Sequence, residues 1–502
     1  MTPEEFRAAA HQLVDWIADF RARAAAGELP ARSTVAPGEV AAQLPDHLPD
    51  ELAAVAELLA ELEQVVVPGI SHVQHPGNFA WFPANASLSS VLGDLASSGL
   101  GAIGLSWQSA PALTEVEEVV LDWLRQEAGL SPEWRGTIHD TASTSCLVAL
   151  LVARERASGF SKDAGGLQSA MAPLVVYTSA EAHSSVGKAA LLAGFGRDNL
   201  RLVGVDPVTY AMDSSALEAA VAGDRAAGRV PAAVVATIGT TASTAIDPVQ
   251  EIADIARRED MYLHVDAAMA GSALFLPECA WLFEGVEQAD SLTWNPHKWM
   301  GTVLDTSAFY VRDPALLQRV MSASPSYLAS KADGSVTQFR DWGIPLGRRF
   351  RALKLLFQLR LDGLDSVRRR LRRDLANAAW LAEAAAATPR WRVVAPVVLQ
   401  TVCLRHEPAG LGWAAGGAAG GAGLGVTAGG EAPDGEALDR HMAALTERVN
   451  SSGRAHLTTA LLGGRLVTRV SIGAEPTERR HVEEVWRLLQ EAADAEVSGT
   501  RS

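Results

Sequence analysis

The sequence predicts an α/β protein: a mostly parallel central sheet flanked by helices, with an N-terminal helical segment and a smaller α+β C-terminal domain. Three observations predict it. Through the middle of the chain, short β-rich apolar runs alternate with helical stretches, the signature of strand–helix–strand units. The first twenty or so residues carry the apolar spacing of a single amphipathic helix. Beyond a long Ala/Gly stretch, a strand and then a helix return. With 502 residues, 48% of them hydrophobic, the chain can bury a large core and form more than one domain.

From Phe6 to about Phe20, apolar residues recur at Phe6, Ala10, Leu13, Val14 and Ile17, so a helix is expected there. A lone helix cannot bury its own stripe and must pack on the rest of the chain or on a second subunit. Proline-rich passages at Pro30 to Pro49 and Pro68 to Pro83 interrupt the pattern and read as extended connections. Strands are expected at Leu174–Tyr177, Val234–Ile238 and Tyr262–Val265, with helices at Val186–Leu192 and Ile252–Arg257 between them. The Ala/Gly-rich stretch Ala414–Gly430 reads as a mobile insertion. A strand at Val467–Ile472 and a helix at His481–Ala492 complete the C-terminal part. The expected organisation is an N-terminal segment over 1–84, a large domain over 85–370, and a small domain over 371–502 with its insertion near 408–433.

Composition excludes several function classes. A net charge of −16 with dispersed basic residues opposes the phosphate backbone, so nucleic acid is not an expected partner. The basic run Arg368, Arg369, Arg370, Arg372 and Arg373 lies among Leu364, Val367 and Leu371 at helical spacing and is expected to be a solvated helix face. Cys146, Cys279 and Cys403 are far apart in apolar settings, without metal-ligand spacing or an even disulfide framework, which fits a reducing compartment. The N-terminus is acidic and no apolar run is long enough to cross a bilayer, so a cytoplasmic protein without membrane partners is expected.

In parallel sheets ligands bind beyond the carboxyl ends of the strands, which directs attention to the residues after each apolar run. Those segments are Asp140–Thr144, Ala182–Ser185, Gly239–Thr241, His264–Ala268 and Asn295–Lys298. Singly, the Ser/Thr-rich turns are explained as well or better by helix capping. Asp266 follows an apolar strand, where a lone carboxylate is costly and needs a cationic partner. A protonated pyridine nitrogen would be one, and would act as an electron sink. Lys298, flanked by Trp294 and by Trp299–Met300, has a shielded amine suited to forming an imine, although most lysines are surface charges. His183 could stack its imidazole on a flat ring or be an ordinary satisfied histidine.

Taken together, these residues resemble the group II pyridoxal-phosphate-dependent decarboxylases, most closely the aromatic L-amino-acid decarboxylases. The resemblance also runs through Pro68-Gly69, His75–Pro83, Gly104–Trp107, Ser109–Glu115 and Phe339–Arg351. It implies a fold-type I architecture and pyridoxal 5′-phosphate as cofactor. Lys298 would be the lysine that binds the cofactor, Asp266 the pyridinium partner, Ala268 a ring contact and His183 the stacking histidine. Ala142, Ser143, Asn295 and His297 would hold the phosphate, and Thr241 would lie beside cofactor and substrate carboxylate. Tyr327 matches the family's catalytic tyrosine, which returns a proton to Cα; relatives with phenylalanine there are associated with aldehyde production. Trp81, Phe82, Pro83, Ile103, Leu105 and Gly347 match substrate-pocket positions.

Of these, Ile103 and Leu105 match positions contributed by a neighbouring subunit, which implies a homodimer with shared active sites. The chain departs from the animal enzymes at Trp81, Val73 and Ala84, where tyrosine, tryptophan and threonine are usual. Glycine at 347 leaves room for a larger ring such as indole. The implied reaction is decarboxylation of an aromatic L-amino acid to the arylalkylamine. Alternatives are decarboxylation of another amino acid such as glutamate, an oxidative aldehyde synthase or aminotransferase, and a catalytically silent relative.

Overall fold

The alternating segments of the middle of the chain assemble into one seven-stranded sheet, seen in a computed structural model that describes residues 1–50, 52–168, 171–322, 334–408 and 435–499. Tyr327 and Ala414–Gly430 lie outside the described residues. The strands are β1 (Arg135–His139), β2 (Leu174–Ser179), β3 (Leu200–Val203), β4 (Val230–Thr237), β5 (Tyr262–Asp266), β6 (Ser291–Trp294) and β7 (Ser307–Val311). Their order is β1-β7-β6-β5-β4-β2-β3. The pairs β2–β3, β2–β4, β4–β5 and β5–β6 are parallel. Only β7 runs against its neighbours. The sheet is therefore mostly parallel, as expected. β2 and β5 are buried at every position, which is why they read as continuous apolar runs instead of alternating ones.

The chain divides into two compact units: Ala84–Leu375 with Ala395–Thr401, and Met1–Pro83 with Ala376–Val394 and Val402–Ser502. The first holds the large sheet and helices α3 (Leu88–Leu100), α4 (Pro111–Glu127), α5 (Ala142–Ala157), α6 (Ser184–Leu192), α7 (Ser214–Ala226), α8 (Val249–Arg258), α9 (Pro314–Met321) and α10 (Ala352–Leu361). Helix α11 (Leu364–Ala387) begins in it. Helix α5 is buried around much of its circumference; Val148, Leu150 and Val152 pack with Val176 of β2, Val235 of β4 and Phe309 of β7. Each such side chain contributes about 1.5–3 kcal/mol on burial.

The second unit holds α1 (Pro3–Ala26), α2 (Val55–Glu61), α12 (Gly435–Ser451) and α13 (Arg479–Gly499). Thr2 and Glu5 cap α1 reciprocally, and Gly27 ends it at φ +75°. Phe6, Leu13 and Val14 of α1 are exposed. A smaller sheet has the order β10-β11-β9-β8, from β8 (Trp391–Val393), β9 (Thr401–His406), β10 (Thr458–Leu462) and β11 (Arg465–Ser471).

The arginine run on α11 departs from the expected solvated face. Arg369 and Arg372 are exposed, but Arg368 and Arg370 reach inward to the carbonyls of Phe275 and Met300, 3.0 and 2.6 Å away. Helical periodicity assigns a face to each residue but does not say which backbone lies opposite it. Among the described residues, no helix is long and apolar enough to cross a membrane, and Cys146, Cys279 and Cys403 are buried free thiols.

Candidate active site at the carboxyl ends of the strands

β5 ends in Asp266, buried, with one carboxylate oxygen accepting the Ala268 N–H at 2.9 Å. Beside it, β6 runs into a single helical turn, Pro296–Met300, that carries Lys298. The two strand ends are tied together: Ala267 N–H donates to Thr293 O, and Asn295 N–H to Ala268 O, both at 2.9 Å. Lys298 is partly buried, and burial lowers its ammonium below the ordinary value while the Asp266 charge pulls the other way. An amine so placed spends more time unprotonated and is a better nucleophile.

His183 caps α6 just beyond β2. Its Nδ1 accepts the Ser185 N–H at 3.2 Å and lies 2.7 Å from Ser185 Oγ. Nδ1 is thus an acceptor, and Nε2 carries the proton. The ring is exposed, and its pKa is lowered by what burial it has and then by Lys298, with Asp266 opposing. The structure therefore brings Lys298, Asp266 and His183 within electrostatic reach of one another. Two residues to which the sequence assigns no role also sense Asp266: Cys146 of α5, and His264, which opens the His264–Ala268 segment on β5. Strand alternation puts His264 on the same face as Asp266, and that is the signal in the sequence that could have found it.

An anion is provided for as well. Thr141 caps α5 without a side-chain hydrogen bond, which leaves the N–H groups of Ala142 and Ser143 for another acceptor. Asn295 is buried; its Oδ1, an acceptor that an anion cannot use, has no hydrogen-bond partner among the described residues, so any contact of Asn295 with an anion falls to its Nδ2. His297 accepts the Thr306 N–H at Nδ1, 3.0 Å away. Burial, then the Lys298 charge, push it down to about 4, so it is neutral with a donor at Nε2. Thr241 is exposed in the turn after β4, next to the buried Thr240, and Ala268 is buried just after Asp266. A lysine of lowered pKa, a buried carboxylate, an exposed flat imidazole and unfilled donors fit an aromatic aldehyde phosphate.

On the substrate side, Leu105 and Gly347 are neighbours: a Cβ at 347 would sit 3.9 Å from a Leu105 methyl. Gly104 N–H donates to Arg348 O at 3.0 Å, and the Arg348 side chain pairs with buried Glu117 at 2.6 Å. Ile103, Ile344 and Leu346 beside them are exposed. Trp81, Phe82 and Pro83 belong to the second unit. There Trp81, at φ +51°, meets His456 edge-on at 4.9 Å, and the Arg469 guanidinium lies 5.2 Å from the Phe82 ring.

The pyridoxal-dependent decarboxylase conserved domain matches residues 37–407 of this chain. Tyrosine decarboxylase 2 of Narcissus pseudonarcissus is 36% identical over 510 aligned positions, covering 100% of this chain and 96% of that protein. Phenylacetaldehyde synthase of Arabidopsis thaliana is 35% identical, covering 98% of this chain and 96% of its own length. The crystal structure of Oryza sativa TDC with PLP and tryptamine superposes with a TM-score of 0.90 at 34% identity, over 99% of each chain.

Proposed function

The chain belongs to the pyridoxal-dependent decarboxylase family, and from that premise we propose that it removes the α-carboxylate of an aromatic L-amino acid as carbon dioxide and releases the arylalkylamine. It is a carboxy-lyase whose cofactor is pyridoxal 5′-phosphate. When bound, the cofactor supplies an electron sink for the pair left on Cα as the carboxylate departs. The observation that carries the reading is the convergence of Lys298, Asp266 and His183 just beyond β6, β5 and β2.

In this reading Lys298, whose ammonium burial holds below its ordinary value, would hold the cofactor through its aldehyde carbon, the aldehyde oxygen leaving as water. The buried Asp266 carboxylate would favour a proton on the ring nitrogen, and Ala268 would contact the ring. His183 offers a flat face for stacking and a donor at Nε2 for the substrate carboxylate. Ala142, Ser143, Asn295 through its Nδ2, and His297 would donate to the phosphate, and Thr241 would stand beside the carboxylate. Tyr327 returns the proton to Cα. Ile103, Leu105 and Gly347 would receive the aromatic ring of tryptophan, phenylalanine, tyrosine or a hydroxylated form, and Trp81, Phe82 and Pro83 are substrate contacts on the resemblance alone.

We further propose a cytoplasmic homodimer in which Ile103 and Leu105 complete the partner's pocket. The exposed Leu88, Leu92, Leu95 and Leu100 along α3, continuous in sequence with exposed Ile103, support it, since such a stripe favours a covering surface. The buried free thiols support the compartment.

The test is incubation of the cofactor-loaded protein with a panel of aromatic and acidic L-amino acids, following carbon dioxide, amine and peroxide. Aromatic amine equal to carbon dioxide, without peroxide, is expected. Aldehyde with peroxide would move the chain to the branch of its aldehyde-synthase relative, and turnover of glutamate alone would overturn the aromatic substrate.

A further inference from the structure

The backbone of Lys298 is bonded within its own short turn, to Asn295 and Gly301. Its N–H donates to Asn295 O at 2.9 Å and its carbonyl accepts the Gly301 N–H at 3.1 Å, and at φ −97°, ψ −111° it leaves helical geometry there. The position of its amine therefore depends on how the chain is held on either side. Upstream, the Asn295–Ala268 bond fixes the turn to β5. Downstream, four successive residues are each held by elements distant in sequence. Trp299, fully buried, donates its indole N–H to Asp374 of α11 at 3.0 Å. Met300 O accepts from Arg370 of α11 at 2.6 Å and from Gln358 of α10 at 3.0 Å. Gly301 O accepts the Ser87 N–H at 2.9 Å, and Thr302 donates its hydroxyl to Gln358 Oε1 at 2.6 Å.

These anchors are themselves rigid. Asp374 has a fully buried carboxyl, and Gln358 is 2% exposed and uses both ends of its amide. Arg370 packs so closely that a Cβ on Gly301 would sit 2.8 Å from its Nη2. A surface helix needs no buried carboxylate, and burying one costs several kcal/mol unless it is held in hydrogen bonds. Arg370, of the two inward arginines, and Asp374 grip the turn that carries Lys298.

We propose that Arg370, Asp374 and Gln358 are positioning residues for the lysine amine, acting through Trp299 and Met300. The proposal rests on Lys298 being the cofactor-binding lysine. Displacing a reacting group by about 1 Å can cost on the order of a hundredfold in rate, so a loosened turn should slow the attack of Lys298 on an aldehyde.

The experiment removes the cofactor, restores it, and follows the absorbance band of lysine-bound pyridoxal phosphate in wild type, Trp299→Phe, Arg370→Met, Asp374→Leu and Asp374→Asn. Trp299→Phe, Arg370→Met and Asp374→Leu should form the band at least about tenfold more slowly and shift the pH midpoint of its titration. Asp374→Asn, which keeps an acceptor for the indole, should restore both. Wild-type rates and midpoints in Trp299→Phe and Arg370→Met, with only the unfolding temperature lowered, would overturn the proposal; these two decide it if Asp374→Leu does not fold. Lys298→Ala separates the premise from the proposal: a persisting band there overturns the assignment of Lys298 itself.

Discussion

An amine that must attack at neutral pH has to lose its proton without losing its charged neighbours, and Lys298 and Asp266 divide that task. Burial lowers the lysine and the carboxylate limits how far. Asp266 is also the only residue proposed to keep a positive charge on the cofactor ring. Asp266→Asn removes both influences while preserving shape. It should still bind pyridoxal phosphate through Lys298, yet lose about a hundred- to a thousandfold in turnover, the scale for deleting one preorganised electrostatic group. Steady-state kinetics beside the absorbance of the loaded protein checks this, and an Asp266→Asn enzyme within a few-fold of wild type would sink the electron-sink role.

Helices α3 and α10 show at the element scale how tightly this unit is packed. A Cβ on Gly93 of α3 would lie 2.8 Å from the Leu353 carbonyl carbon and 2.9 Å from Lys354 Cα, both backbone atoms of α10. Gly93→Ala gains about 1 kcal/mol of helix propensity, but overpacking against backbone costs about 1–3 kcal/mol. The clash should win, and thermal unfolding should show a destabilised variant; an unchanged or raised midpoint would refute the close approach. Nothing in the sequence around Gly93 announces this contact, because its partner is some 260 residues away. The same distance problem hides the role of Arg370, whose partner Met300 lies on another element. What is legible is local: β5 and its terminal Asp266, the His183 turn at the start of α6, and the Asn295–Lys298 segment after β6, because strand ends in a parallel sheet converge by topology alone. His264 escapes such reading because a histidine inside an apolar strand reads as core until its neighbours are known.

Across the whole molecule, burial has left a set of titratable groups whose response to acid can be worked out. His75, His139, His264, His297 and His406 are each pushed down to about 4, in every case chiefly by burial. In the unfolded chain they take up protons near 6.5, so between 6.5 and about 4 the unfolded state holds more protons. Their effect is full stability above that window and loss as the pH falls through it. Four carboxyls among the described residues oppose them: burial raises Asp247 to about 7 and Asp374 to about 6, and lifts Asp290 and Glu181 above their ordinary values. Above their ordinary values the native state keeps protons there that the unfolded chain has released, so acidification favours the fold through these four. His72, His183, His441 and His456 are lowered as well, so nine histidines outweigh four carboxyls among the described residues, and each uncompensated proton is worth about 1.4 kcal/mol per pH unit. The protein should therefore unfold at lower temperature or denaturant at pH 4.5 than at pH 6.5. His264→Gln, which removes one such group from the core beside Asp266, should flatten that dependence by about one proton. A stability that holds constant or rises on acidification across this window would mean that the buried histidines enter the native state already charged.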